Sequence, residues 1–299
     1  MLIDTHSHTY LCKHAQLVYP EAFLHIAKQM GFTHFVFCDH NPFPGDKYDL
    51  IHRMTLDELN LFNEMYEKQV RMSKEKDLPV PFKYLEVDWQ PFDNQASIDF
   101  VNAYLADFDC VLGSLHFNSE QEKAFMESAS VDEYLALFQA QWLAAVDSSL
   151  FQIMTHFDFF SFYNKKIYEL IKTESGLKQI EDFVIQTVLK TENKNFLLEI
   201  NTSAYKNGPE FKTFPTKRVI SELFKQGVKF CVGSDSHFIK QVGQQFKSVF
   251  ESLIEIGVTD LYYVEKKTIK SYKLADAMKL YKAIDMQEVA RIQEEFKLK

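Results

Sequence analysis

The chain has 299 residues, 46% hydrophobic and 25% charged, with 33 Lys and Arg against 42 Asp and Glu and a formal net charge of −9. This is globular composition with enough chain for a large core, and the acidic balance disfavours a nucleic-acid partner, whose phosphate backbone asks for a basic face. No apolar run reaches membrane-spanning length and no signal-peptide core precedes the first charged residue, so a cytoplasmic protein with no membrane partner is expected.

The predicted elements repeat one unit: an apolar strand, a loop, an amphipathic helix. Leu2-Ile3 opens a strand that runs out into Asp4-Thr5-His6-Ser7-His8, and 21–30 reads as a helix closed by Gly31. A strand over 33–38 ends in Asp39-His40. Residues 55–76 form a helix, with Thr55 placed three before Glu58 as in a capping box. Strand 82–87 carries Glu86, helix 96–106 follows, and 110–116 is a strand ending at His116. Helix 131–146, strand 151–156 ending at His156, helix 176–191 and strand 196–201 continue the pattern. Helix 215–226 is stopped by Gly227, strand 229–237 ends in Gly233-Ser234-Asp235-Ser236-His237, and helix 241–256 follows. Residues 260–264 suggest one more strand, and the charged tail reads as helix. With 9 Gly, 8 Pro and no linker composition, one domain over 1–299 is expected, with 265–299 a helical extension.

Alternating strands and helices predict a parallel α/β sheet. Polar residues gathered at the strand ends favour a barrel, whose chemistry sits at the C-terminal ends of its strands. An open doubly wound sheet is disfavoured by the lack of a Gly-rich phosphate loop after the first strand. The four cysteines (Cys12, Cys38, Cys110, Cys231) are scattered and read as free thiols in a reducing compartment.

The donors at the strand ends are His6, His8, His14, His40, Glu86, His116, His156, Asp235 and His237. All offer nitrogen or oxygen, a set that suits zinc, manganese or iron and is too nitrogen-rich for calcium or magnesium. Nine donors exceed one tetrahedral site and fit two or three ions, with a carboxylate such as Glu86 between a pair. Asp88, two residues on along the same strand face, competes with Glu86 for that place. His25, His34 and His52 read as structural. The 28 Phe residues read as core, with Phe43, Trp89 or Phe117 a candidate pocket wall.

In order and spacing, Asp4-Thr5-His6-Ser7-His8, His14, Asp39-His40, Glu86, Gly113-Ser114-Leu115-His116, His156 and Gly233-Ser234-Asp235-Ser236-His237 resemble the PHP (polymerase and histidinol phosphatase) metallohydrolase family. Glu199-Ile200-Asn201-Thr202-Ser203 and Val242-Gly243 point, within it, to the stand-alone histidinol-phosphatases. The resemblance implies a distorted (β/α)7 TIM-like barrel with three divalent ions. His6, His8, Glu86 and Asp235 would hold the first, His14, His40 and His237 the second, and Glu86, His116 and His156 the third. It implies hydrolysis of a small phosphorylated metabolite by a metal-bridging hydroxide, most simply L-histidinol phosphate to L-histidinol and phosphate in histidine biosynthesis. Glu86, Asp235 and His237 would be the catalytic residues.

The family's substrate phosphate usually meets arginines, but the corresponding stretches here are Ala204-Tyr205-Lys206 and Asn164-Lys165-Lys166. Lys206 and Lys165 (or Lys166), with Asn201 nearby, are therefore the expected substrate-binding residues, supplying point charges where arginine offers a bidentate fork. Another small phosphoester is an alternative substrate. An amidohydrolase-type deaminase also begins with His-x-His, but it needs a lysine where this chain has His116. A non-catalytic metal-binding module is the remaining alternative.

Overall fold

A computed structural model describes residues 1–42, 51–207 and 213–298. Seven parallel strands form one sheet in sequential order: β1 (Ile3–Asp4), β2 (His34–His40), β3 (Val80–Asp88), β4 (Cys110–Ser114), β5 (Ile153–Met154), β6 (Leu197–Asn201) and β7 (Phe230–Gly233). The outer strands meet. Thr5 N–H donates to Val232 O at 3.2 Å, Asp235 N–H to His6 O at 2.9 Å and His8 N–H to Ser236 O at 2.9 Å. The result is a nearly closed (β/α)7 barrel, as expected.

The strands read as continuous apolar runs because helices cover their outer side. Phe35, Val36, Phe37, Leu112, Ile153, Leu198 and Val232 are all inaccessible. The helix Leu56–Lys76 starts at a capping box made by Thr55 and Glu58, as the local sequence indicated. Register places His40 opposite Glu86 and Asp88 opposite Ser114, so motif residues from different strands share one end of the barrel.

Two departures concern the periphery. The segment after residue 264 is not wholly helical. β8 (Asp260–Glu265) and β9 (Thr268–Lys273) pair as an antiparallel hairpin, and only Leu274–Leu280 and Met286–Glu295 are helices. Lys266 and Lys267, with φ of 48° and 63°, make the two-residue turn that matches strand twist. The hairpin lies against the N-terminal ends of the barrel strands. Lys267 N–H donates to Asp109 O at 2.8 Å, and Tyr84, inside the barrel, bonds Val264 through its hydroxyl. Three further helices, Glu120–Ser128, Phe160–Tyr163 and Lys165–Ile171, lie where the sequence suggested none.

Candidate metal centre

Glu86 is fully buried at the C-terminal end of β3 and stands at the middle of the constellation. Its Oε2 lies 3.2 Å from His6 Nε2, 3.5 Å from His8 Nε2 and 3.1 Å from His40 Nδ1. Its Oε1 lies 3.1 Å from His156 Nε2 and 3.5 Å from His116 Nε2. One carboxylate therefore faces two groups of imidazoles with different oxygens.

Asp235 completes the first group, with Oδ1 3.3 Å from His8 Nε2 and 4.0 Å from His6 Nε2. Its backbone is left-handed, with φ of 52°, a costly geometry for a non-glycine residue. Ser203 Oγ–H donates to Asp235 Oδ2 at 3.2 Å. His237 stacks on His8 with ring centres 4.2 Å apart, and His14 lies 4.4 Å from His237 and 5.5 Å from His40. All nine expected donors thus come together. Within the described residues, the donor atoms of His6, His8 and Asp235 lie within 4.8 Å of one another, and so do those of His8, His40 and His237.

The outer nitrogens of several rings are already committed. His6 Nδ1–H donates to Glu199 Oε1 at 2.7 Å, His14 Nδ1–H to Cys12 O at 2.7 Å, His116 Nδ1–H to Asp88 Oδ1 at 2.7 Å and His237 Nδ1–H to Asp235 O at 3.1 Å. In the neutral ring that a metal requires, each bond leaves Nε2 as a lone pair turned inward, the arrangement that orients metal-binding histidines. His6 Nε2 then lies 3.0 Å from His8 Nε2, and His116 Nε2 lies 3.3 Å from His156 Nε2. Converging lone pairs repel unless a cation or proton lies between them. His237 Nε2 is buried and has no hydrogen-bond partner. The residues present fit borderline divalent cations bound by nitrogen and carboxylate.

Charge follows the same geometry. Burial opposes ionisation of Glu86, but His40, His6 and His116 outweigh it and hold the carboxyl well below its usual range. Asp235 is likewise lowered, burial being outweighed by the His8 hydrogen bond and by His6 and His237. Burial lowers His40 and His237 well below the ordinary histidine value, and burial with the neighbouring His8 brings His14 to about 4. His116 goes the other way: burial is overcome by Asp88 and Glu86, which push it up to about 8.

Outer residues hold this set. Glu199 takes His6 on one oxygen, and the backbone N–H of His156 and the Asn201 amide, both at 3.0 Å, on the other. Gly233 is what lets Glu199 in: a Cβ there would lie 2.2 Å from Glu199 Oε1 and 2.6 Å from His6 Cβ. Asp39 accepts both the N–H and the hydroxyl of Thr9, at 2.7 and 2.6 Å, and so fixes the turn after His8. Cys12 Sγ lies near His14 and His237, but burial raises its pKa and keeps it a thiol.

Several expectations are corrected. Asp88 faces Nδ1 of His116 and pairs with Arg53, a fully buried residue that the sequence did not single out, and its carboxylate also lies within 4.8 Å of donor atoms of His40 and His116. Asn201, expected to bind substrate, is fully buried, engaged with Glu199 and the Ser203 N–H, and not among the residues lining the cavity. Lys165 is exposed at the start of its helix and lies outside the cavity, and Lys166 Nζ bonds the carbonyls of Glu127 and Ala129. The side chain of Lys206 and the whole of Phe43 lie outside the described residues. Trp89 is buried and donates to Gln141 at 3.0 Å. His52, read as structural, reaches the mouth of the site, its ring edge-on to His14 at 5.1 Å.

Over the cluster opens a cavity of about 660 Å³. It is lined by His14, His40, His116, His156, His237, Glu86 and Asp235 and by the apolar side chains of Phe117, Met126, Phe159, Phe214 and Phe238.

The PHP domain model matches residues 4–203. A protein of Deinococcus radiodurans named "Probable histidinol-phosphatase" is 25% identical over 275 residues, covering 89% of this chain and 98% of its own. One of the same name from Schizosaccharomyces pombe is 25% identical over 289 residues, covering 89% and 90%. Histidinol phosphate phosphatase of Lactococcus lactis, solved with zinc, L-histidinol and phosphate, has a similar fold, with a TM-score of 0.67 at 19% identity. That likeness covers 90% of this chain and 98% of the other.

Proposed function

Because the chain belongs to the PHP family, we propose that it is a metal-dependent phosphomonoester hydrolase and that L-histidinol phosphate is its substrate. The single observation that carries the reading is the placement of Glu86, one buried carboxylate presenting each oxygen to a separate group of imidazoles. His6, His8, Glu86 and Asp235 would hold one ion, His14, His40 and His237 a second, and Glu86, His116 and His156 a third. Zinc, manganese and iron all suit these donors. Ions bound there supply a water of lowered pKa and neutralise the charge of the phosphoryl oxygens.

The chain's own residues prepare that chemistry. Glu199 and Asp88 hold the rings of His6 and His116 with Nε2 turned inward. Glu86 and Asp235 stay ionised and keep the site attractive to cations before any are bound. The wall of Phe159, Phe214 and Phe238 offers aromatic surface to the leaving alcohol, which suits a planar group such as the imidazole of histidinol. The names of the two relatives and the ligands of the L. lactis enzyme support this substrate. A lysine is absent where a deaminase of the amidohydrolase type would place one, and His116 occupies that strand end.

We read the whole chain as one catalytic domain acting in the cytoplasm. No helix among the described residues is long and apolar enough to cross a membrane.

The test is phosphate release from L-histidinol phosphate beside a panel of other phosphomonoesters, with zinc or manganese supplied. A kcat/KM of about 10⁴ M⁻¹s⁻¹ or above for histidinol phosphate, well ahead of the panel, is the expected result. Turnover of the panel with histidinol phosphate ignored would change the substrate, and no turnover of any phosphoester would overturn the reading.

A further inference from the structure

Beside the metal ions, a side-chain cation can hold the phosphate dianion of a phosphomonoester through a charge-assisted hydrogen bond. The expected lysines do not supply one among the described side chains: Lys165 is exposed and not among the residues lining the cavity, and Lys166 is tied to two carbonyls. One other lysine does face the cavity. Lys123 lies on the helix Glu120–Ser128, which follows the His116 loop, and it is the single Lys or Arg among the described lining residues.

Its surroundings favour that orientation. Glu120 and Glu127 stand at i−3 and i+4, the positions with which a helical lysine ordinarily pairs, yet Lys123 Nζ forms no ion pair or hydrogen bond with either. The helix is fixed at both ends. Ser119 and Glu122 form a capping box at its start, and Lys166 Nζ binds the carbonyls of Glu127 and Ala129 at its finish, the first at 3.2 Å. The cavity-lining residues beside Lys123 on this segment are His116, Phe117, Asn118 and Met126, none of them acidic, while the acidic residues of its helix, Glu120, Glu122 and Glu127, are not among the lining residues.

We propose that Lys123 is the substrate-binding residue that contacts the phosphate, taking the part that the sequence pattern assigned to Lys165. This rests on the phosphatase reading above. A lysine gives a mobile point charge and not a fork, so it holds the anion without dictating its orientation, which falls to the metal side of the cavity.

The test measures binding of inorganic phosphate to the zinc-loaded full chain by calorimetry, independently of turnover, for the native protein, Lys123→Ala and Lys123→Arg. KM and kcat for the best phosphomonoester are measured alongside. Loss of a charge-assisted contact predicts a phosphate Kd and a KM about tenfold higher for Lys123→Ala, with kcat changed less and Lys123→Arg restoring both. Equal phosphate Kd for the native protein and Lys123→Ala would overturn the proposal, as would a fall in kcat with phosphate binding unchanged. Failure of the native protein to hydrolyse any phosphoester would instead overturn the phosphatase reading, and the phosphate Kd values would still decide the role of Lys123.

Discussion

His116 Nδ1 lies 2.7 Å from Asp88 Oδ1, and the other oxygen of Asp88 is held by the guanidinium of Arg53. Ser114 Oγ–H donates to the same Oδ1 at 2.8 Å, and Asn41 joins the pair by accepting from Arg53 Nη1 at 3.2 Å and from Asp88 N–H at 3.1 Å. Besides His116, the carboxylate is therefore held by Ser114 and Arg53, and Asn41 braces both Arg53 and the Asp88 backbone. Asp88→Asn removes the charge that aligns His116 and strands a buried guanidinium. We expect metal affinity on the His116–His156 side to fall roughly 10–100-fold, the usual cost of losing an outer partner of a metal-binding histidine. Metal titration of the purified variant checks this, and unchanged stoichiometry and affinity would refute it.

The same pair sets a pH dependence. The pKa of His116 in the metal-free fold is raised to about 8, so the ring is protonated at pH 7, while a metal ligand must be neutral. Metal loading at pH 7 should release a proton from His116, and affinity should fall as pH drops below about 8. The stability of the metal-free protein carries the opposite sign. The pairing of charged His116 with Asp88 contributes fully below the unfolded pKa of roughly 6.5 and is lost as pH rises through 8. Calorimetry in two buffers of different ionisation enthalpy reads the proton directly. Equal heats in both would count against it.

Gly233→Ala should be among the most damaging small substitutions. The added methyl would meet Glu199 Oε1 at 2.2 Å and His6 Cβ at 2.6 Å, so Glu199 or His6 must move. We expect about 1–3 kcal/mol of lost stability, as for other overpacked sites, together with weakened metal binding. Thermal unfolding and metal content of the variant are the measurements. Native values of both would show that the barrel opens freely at this seam.

Glu86→Gln keeps the size and loses the charge and one of the two acceptor oxygens. Since those oxygens face separate imidazole groups, the loss should affect both. The fall in kcat/KM should exceed the roughly 10–100-fold expected of Asp88→Asn, and metal content should drop by at least one ion per chain. A variant with full metal content would mean that Glu86 does not bridge.

The parts of this site that were legible in the sequence are those encoded by local spacing. His6 and His8 sit two apart where a strand ends, and Asp235 and His237 repeat the device at the last strand, so period-two alternation already puts each pair on one side. The remainder depends on which strands become neighbours. Glu199 reaches His6 only because β7, the neighbour of β6, meets β1 across the closed ring, and Arg53 reaches Asp88 only after the intervening segment has folded back. Lys123 was missed for another reason. Its helix has a clear capping box at Ser119 and Glu122 but buries only Glu122 fully, so it lacks the apolar stripe by which helices are recognised. The β8–β9 hairpin was half seen, because β9 is largely exposed and its alternation carries a single buried residue, Tyr272.

The seam between β1 and β7 has a consequence for biosynthesis. Thr5 and Asp4 find their partners at Val232 and Ser234, 227 and 230 positions later in the chain. A growing polypeptide emerging from the ribosome exposes His6 and His8 well before Asp235 and His237 are made, and the proposed cation site that joins them must wait for the later pair. Until then the N-terminal histidines are an open chelator of partial strength. Metal captured early and released, or delivered only after the last strand has docked, would give the newly made chain different occupancies in cells starved of or flooded with zinc.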